Sequence, residues 1–166
     1  VIDTAAIVIE SIWPPLPGSA ECPQKQKGLP LRTFIQETLK RSRSSYSTLQ
    51  TALFYLYKIR NKVPCAYLKR RQDQLCQTHQ IFQSNRIIYC GRRTFLASLM
   101  VASKYLQDRN YSNKAWAKIS GLSIKEINAN ELIFLKLIDY SLFVSHDTFM
   151  RWTALLVAHG QEATRK

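Results

Sequence analysis

Residues 91–108 read GRRTFLASLMVASKYLQD, and this stretch decides the fold. Phe95, Leu96, Leu99, Met100, Ser103 and Leu106 recur three and four residues apart, which places them on one face of a helix. Ala97, Ser98 and Ala102 keep the other faces narrow. Such a helix is suited to a central position, because neighbours can approach its backbone closely from several sides. Residues 108–110 supply the exit turn.

Working outward, Ser112 is placed to cap a short helix carrying Trp116 and Ile119, and Gly121 supplies the left-handed residue that ends it. Ser123 and Glu126 have the spacing of a capping box, with Leu122 and Ile127 as its hydrophobic staple. The helix they start is expected to run to about Ile138, and a further one from near Ser145 carries Phe149, Trp152, Leu155 and Leu156 on one side. Towards the N-terminus, Leu31, Phe34, Ile35 and Leu39 mark a helix after Pro30. Ser47 and Gln50 suggest the cap of another, whose stripe runs through Leu49, Ala52, Leu53, Leu56 and Tyr57 until Val63 and Pro64 stop it. No stretch alternates at period two for long enough to argue a strand. The fold class is therefore all-α.

Pro14, Pro15, Pro17 and Gly18, followed by the polar residues 21–28, read as an extended arm over residues 1–28 that adds little to the core. Residues 65–91 are polar and basic, and a long irregular connection is expected there. Val1 stands where an initiating Met would be, so either a fragment or a trimmed chain is expected. No apolar run approaches the roughly 18 residues of a membrane span, and the first residues lack a basic leader. A soluble intracellular protein is expected, in the nucleus, the cytoplasm or both. Cys22, Cys65, Cys76 and Cys90 are far apart, with no paired spacing and no clustered His. Free thiols are expected rather than a zinc site.

The charge is uneven. Of 24 Lys and Arg, 15 lie between Lys25 and Arg93, opposed there only by Glu37 and Asp73. Such an excess attracts anionic partners at low salt, or simply keeps the surface solvated. Enzyme signals are absent: no Gly-rich phosphate loop, no nucleophile elbow, no zinc-protease motif, and three scattered histidines, His79, His146 and His159. No cofactor is implied.

One carboxylate breaks the pattern. Glu131 falls on the stripe formed by Ile124, Ile127, Phe134, Leu135 and Ile138, four residues from Ile127 and four from Leu135. A carboxylate there needs a partner or an opening to solvent. Lys104, one turn beyond Met100, is a candidate partner. Two plainer readings stand beside it: a lysine at a helix C-terminus favours the dipole, and a glutamate can sit at a stripe's edge.

The segments 91–108, 110–122 (NYSNKAWAKISGL) and 123–137 (SIKEINANELIFLKL) resemble the third, fourth and fifth helices of the cyclin box, and in combination they resemble the PHO-type (Pcl) cyclins of fungi. Residues 31–61 fit the first two helices less distinctively. The resemblance implies a single five-helix cyclin box over residues 29–145, with a flanking C-terminal helix and tail over 146–166. It implies a non-enzymatic regulatory subunit that binds and activates a cyclin-dependent protein kinase. In that family, a Lys ending the third helix and a Glu in the fifth bind backbone groups of the kinase's αC-helix region. Those positions match Lys104 and Glu131. Apolar and aromatic kinase contacts carried over in the same way fall on Tyr105, Leu132, Leu135, Tyr140 and Leu142. Acidic or phosphorylated substrates are a further expectation. The rival expectation is a basic helical nucleic-acid-binding module with a cyclin-like fold. The basic residues 65–90 have no counterpart in the family, and no role is carried onto them.

Overall fold

The computed structural model describes residues 1–14, 29–63, 87 and 90–164, with seven helices and no strand among them. In chain order these are α1 (Ile2–Ile12), α2 (Leu31–Ser42), α3 (Tyr46–Ile59), α4 (Gly91–Leu106), α5 (Asn113–Ser120), α6 (Ile124–Leu137) and α7 (His146–Thr164). The expected connection at 65–91 and the cysteines Cys22, Cys65 and Cys76 lie outside the described residues, apart from Ile87, Cys90 and Gly91.

Helix α4 is the hub. Every residue from Thr94 to Ser103 is buried, and α1, α2, α3 and α6 all pack against it. Its small residues permit the close approach: Ser98, wholly buried, donates its hydroxyl to the Ala52 carbonyl of α3 at 2.6 Å. That bond removes the penalty of a buried hydroxyl and pins the two helices in register. Leu99, Phe95 and Met100 fill the space on the other sides, with Phe34 edge-on to Phe95.

The local start and stop signals act as expected in the second half of the chain. Ser112 accepts from the Ala115 amide, Ser123 from Glu126, and Ser145 from Thr148. Gly121 adopts φ 75°, a conformation that side chains with a Cβ resist. In α3 the cap is Ser45 rather than Ser47, its oxygen accepting from the Thr48 amide. Of the residues expected to face inward on α7, Trp152 and Leu156 do, while Leu155 is exposed.

The extended arm expected over residues 1–28 is corrected at its beginning. Ile2–Ile12 form a helix whose Ala5, Ala6 and Ile9 are buried, followed by the buried Trp13. The spacing of residues 2, 5, 6, 9 and 13 is a helical stripe, and it packs against α2, α3, α4 and α7. Pro14 lies beyond the last turn of this helix, where it limits the helix without preventing it. At Gly91, the first residue of α4, a Cβ would lie 3.0 Å from Ile9 Cγ2 and 3.3 Å from the Trp13 ring. Gly91→Ala is therefore expected to push α1 away. The net loss should be about 1 kcal/mol once the better helix propensity of Ala is offset, seen as a fall in melting temperature of roughly 2–4 °C.

Candidate functional site

Lys104 occupies the last turn of α4, and Glu131 lies midway along α6, which packs beside it. Their side chains meet. Lys104 Nζ donates to both carboxylate oxygens of Glu131, at 2.9 and 2.8 Å. The same ammonium donates to Asn113 Oδ1 at 2.5 Å, and Asn113 Nδ2 donates back to Glu131 Oε2 at 2.9 Å and to Asn128 Oδ1 at 2.7 Å. All three protons of the ammonium are used, so the charge is fully matched by acceptors. The cluster is not sealed: the Lys104 side chain is 31% exposed and that of Glu131 18%. It is a surface cluster at the junction of α4, α5 and α6, not a core ion pair. Asn113 is the member that sequence reasoning missed, because an Asn opening a short helix carries no distinctive pattern.

The remaining expected residues lie on α4, on α6 and in the linker that follows it. Tyr105 follows Lys104 and is exposed; Leu132 follows Glu131 and is exposed; Leu135, one turn on, is half-buried. Beyond α6 the chain turns sharply through Asp139 (φ 55°) and Tyr140 (φ 54°), two successive residues in the left-handed region. Each such residue costs about 1–3 kcal/mol unless its surroundings hold it. Here they do. Tyr140 N–H donates to the Leu135 carbonyl at 2.9 Å, Lys58 Nζ donates to the Ser141 carbonyl at 2.8 Å, and Lys62 Nζ donates to the Leu137 carbonyl and pairs with Asp139.

Tyr55 closes the arrangement by donating its hydroxyl to the Leu142 carbonyl at 2.7 Å. Burial pushes the Tyr55 phenol well above its ordinary value, with the neighbouring Tyr105 adding to the effect. The hydroxyl therefore stays protonated and available as a donor. The linker after α6 is thus held in one shape from α3, and it displays Tyr140 and Phe143, the latter 75% exposed. Phe143 also escaped the sequence reading, since nothing local says that an aromatic two residues before a helix cap points outward. Together, Lys104, Glu131 and Asn113 form a polar centre; Tyr105 on α4 and Leu132 on α6 are exposed, as are Tyr140 and Phe143 in the linker after α6.

Among the described residues no group of His, Cys, Asp and Glu is placed to hold a metal ion, and no helix is long and apolar enough to cross a membrane. The described helices thus pack round a buried central helix, α4. A family-wide profile, Cyclin, matches residues 29–142, and the chain belongs to that family. Cyclins as a family are regulatory subunits rather than enzymes.

The chain is 35% identical over 159 residues to the G1/S-specific cyclin pas1 of Schizosaccharomyces pombe, covering 94% of this chain and 34% of the relative. It is 33% identical over 119 residues to PHO85 cyclin-5 of Saccharomyces cerevisiae, covering 72% and 46%. It is 32% identical over 104 residues to Cyclin-U2-1 of Arabidopsis thaliana, covering 61% and 46%. The chain thus spans less than half the length of each of these relatives. The nucleic-acid-binding alternative finds no support among them.

Proposed function

We propose that the chain binds and activates a cyclin-dependent protein kinase of the PHO85 type, docking through the face centred on Lys104 and Glu131. The observation that carries this reading is the half-open cluster of Lys104, Glu131 and Asn113, with Tyr105 and Leu132, the residues that follow Lys104 and Glu131, both exposed. Charged groups held in place but not sealed can exchange their partners for backbone groups of an incoming protein at small reorganisation cost. Leu135, Leu142 and Phe143 extend the contact along α6 and its linker. Family membership and the relative named as a PHO85 cyclin support the choice of partner.

Activation follows from differential binding. A surface complementary to one position of the kinase's αC helix favours the arrangement in which that helix's glutamate meets the ATP-positioning lysine. Chemistry stays in the kinase. The direct test mixes the purified chain with a purified PHO85-type kinase and follows complex formation by size-exclusion chromatography and peptide phosphorylation. A one-to-one complex with raised kcat is expected. Absence of any complex at micromolar concentrations of both would overturn the proposal.

A further inference from the structure

The turn after α6 holds Asp139 and Tyr140, consecutive residues in the left-handed region, and neither is a glycine. Aspartate tolerates that conformation through its short polar side chain, whereas tyrosine has no such help. The amides of the turn are satisfied locally. Asp139 N–H donates to the Lys136 carbonyl at 3.1 Å, Tyr140 N–H to Leu135 at 2.9 Å and Ser141 N–H to Ile138 at 3.1 Å. Three of the carbonyls are satisfied from another element. Tyr55 and Lys58 on α3, and Lys62 just beyond its end, stand three and four residues apart. Tyr55 donates to the Leu142 carbonyl at 2.7 Å, and Lys58 to the Ser141 carbonyl at 2.8 Å and the Ser141 hydroxyl at 3.0 Å. Lys62 donates to the Leu137 carbonyl and to the Asp139 carboxylate. The order is antiparallel: donors 55, 58 and 62 meet carbonyls 142, 141 and 137. A lysine near the end of a helix ordinarily serves that helix's own dipole. Both lysines here reach across to a different segment instead.

We infer, on the reading of Tyr140 as a docking residue, that Tyr55, Lys58 and Lys62 are positioning residues: they set the affinity for the partner kinase by holding the turn that carries Tyr140. The three donors oppose what the backbone would do alone. Without them, a tyrosine in the left-handed region relaxes towards the ordinary extended or helical regions, and its ring moves with it. A partner that recognises one arrangement then finds only a fraction of the chains ready, and its apparent affinity falls by that fraction. Stability responds far less. The Lys62 side chain is 44% exposed and that of Asp139 81%, and ion pairs so open to solvent contribute little to folding. The shape of the turn and the melting temperature are therefore separable.

The test compares the wild-type chain with Lys58→Met/Lys62→Met, which keeps two long side chains and removes both charged donors, and with Lys58→Arg/Lys62→Arg, which keeps donors at both positions. Hydrogen exchange at the Tyr140 and Ser141 amides is followed in the isolated chains. Affinity for a purified PHO85-type kinase is measured by calorimetric titration on the same samples. The methionine variant should exchange those two amides about fivefold to thirtyfold faster than wild type and bind the kinase more weakly by a similar factor. Its melting temperature should fall by no more than about 2–4 °C. The arginine variant should stay close to wild type in exchange and in affinity. Tyr55→Phe, which lacks one donor, should shift both readings in the same direction by a smaller factor. Unchanged exchange in the methionine variant, or faster exchange with unchanged affinity, would overturn the inference and leave the docking reading standing. A large fall in its melting temperature would make the three residues structural and overturn it as well. A wild-type chain that binds no such kinase would overturn the docking reading itself, and the role of these three residues with it.

Discussion

Alanine at Lys104 or at Glu131 is expected to lower affinity for the kinase by roughly thirtyfold to several thousandfold, the equivalent of about 2–5 kcal/mol for truncating one partner of a desolvated charged contact. The fold should tolerate either change. In the free chain the pair is partly exposed, and such pairs contribute only about 1 kcal/mol or less to stability, so the melting temperature should fall by no more than about 2–4 °C. The two variants should not behave alike in detail. Without Lys104, Glu131 keeps the Asn113 amide as a donor. Without Glu131, Lys104 keeps only Asn113 Oδ1 as a described acceptor. Asn113→Ala removes no charge but loosens both, so it should weaken binding less than either.

Thermal melts, calorimetric titration with the kinase and a phosphorylation assay, run on the same samples, separate the effects. Near-native melting with lost binding supports docking through this cluster. Unfolding of both variants would make it a structural ion pair. Unchanged affinity in well-folded variants would remove the proposed docking face.

How far these elements are legible in the sequence depends on the range of the forces that shape them. Helix caps are local, and Ser112, Gly121 and Ser123 can be read directly because one side chain or one backbone angle decides each. The cap of α3 lies two residues from its expected place because Ser44, Ser45 and Ser47 all offer a hydroxyl, and the Ser47–Gln50 spacing imitates a capping box. Gln50 in fact lies in the interior, 3% exposed, with its backbone carbonyl accepting from the Trp152 indole at 2.9 Å. That contact crosses 102 residues, and no local pattern contains it.

The same distinction divides the candidate site. Glu131 stands out because a carboxylate on an apolar stripe is a local anomaly, and Lys104 answers it as the opposite charge. Asn113, Tyr55, Lys58 and Lys62 give no such signal. Their roles exist only once α3, α5 and the linker after α6 are packed together. The N-terminal helix shows the opposite failure. Its stripe is present in Ile2, Ala5, Ala6, Ile9 and Trp13, but a proline cluster next to a short stripe suggests extended chain throughout. A proline restricts its own residue and its immediate neighbours, so a helix that ends before Pro14 is unaffected.

That failure leads to the second large effect. Leu99→Ala and Ile9→Ala are both expected to cost about 2–5 kcal/mol, lowering the melting temperature by roughly 4–20 °C. Leu99 has no exposure and sits in the helix that four others surround, so its truncation leaves a cavity that the packed neighbours cannot collapse to fill. Ile9 is 2% exposed, in a helix that an extended arm would not contain. If α1 folds with the rest, Ile9→Ala must approach Leu99→Ala in size. Leu132→Ala, at an exposed site, should stay within about 0.5 kcal/mol of wild type. The measurement is denaturant unfolding of the three variants, with the slope recorded as well as the midpoint. Equal slopes with large midpoint shifts at both buried sites place α1 inside one cooperative unit. A large shift for Leu99→Ala with none for Ile9→Ala would mean that α1 detaches before the box unfolds, and that its packing over Gly91 contributes nothing to the stability of the helices bearing Lys104 and Glu131.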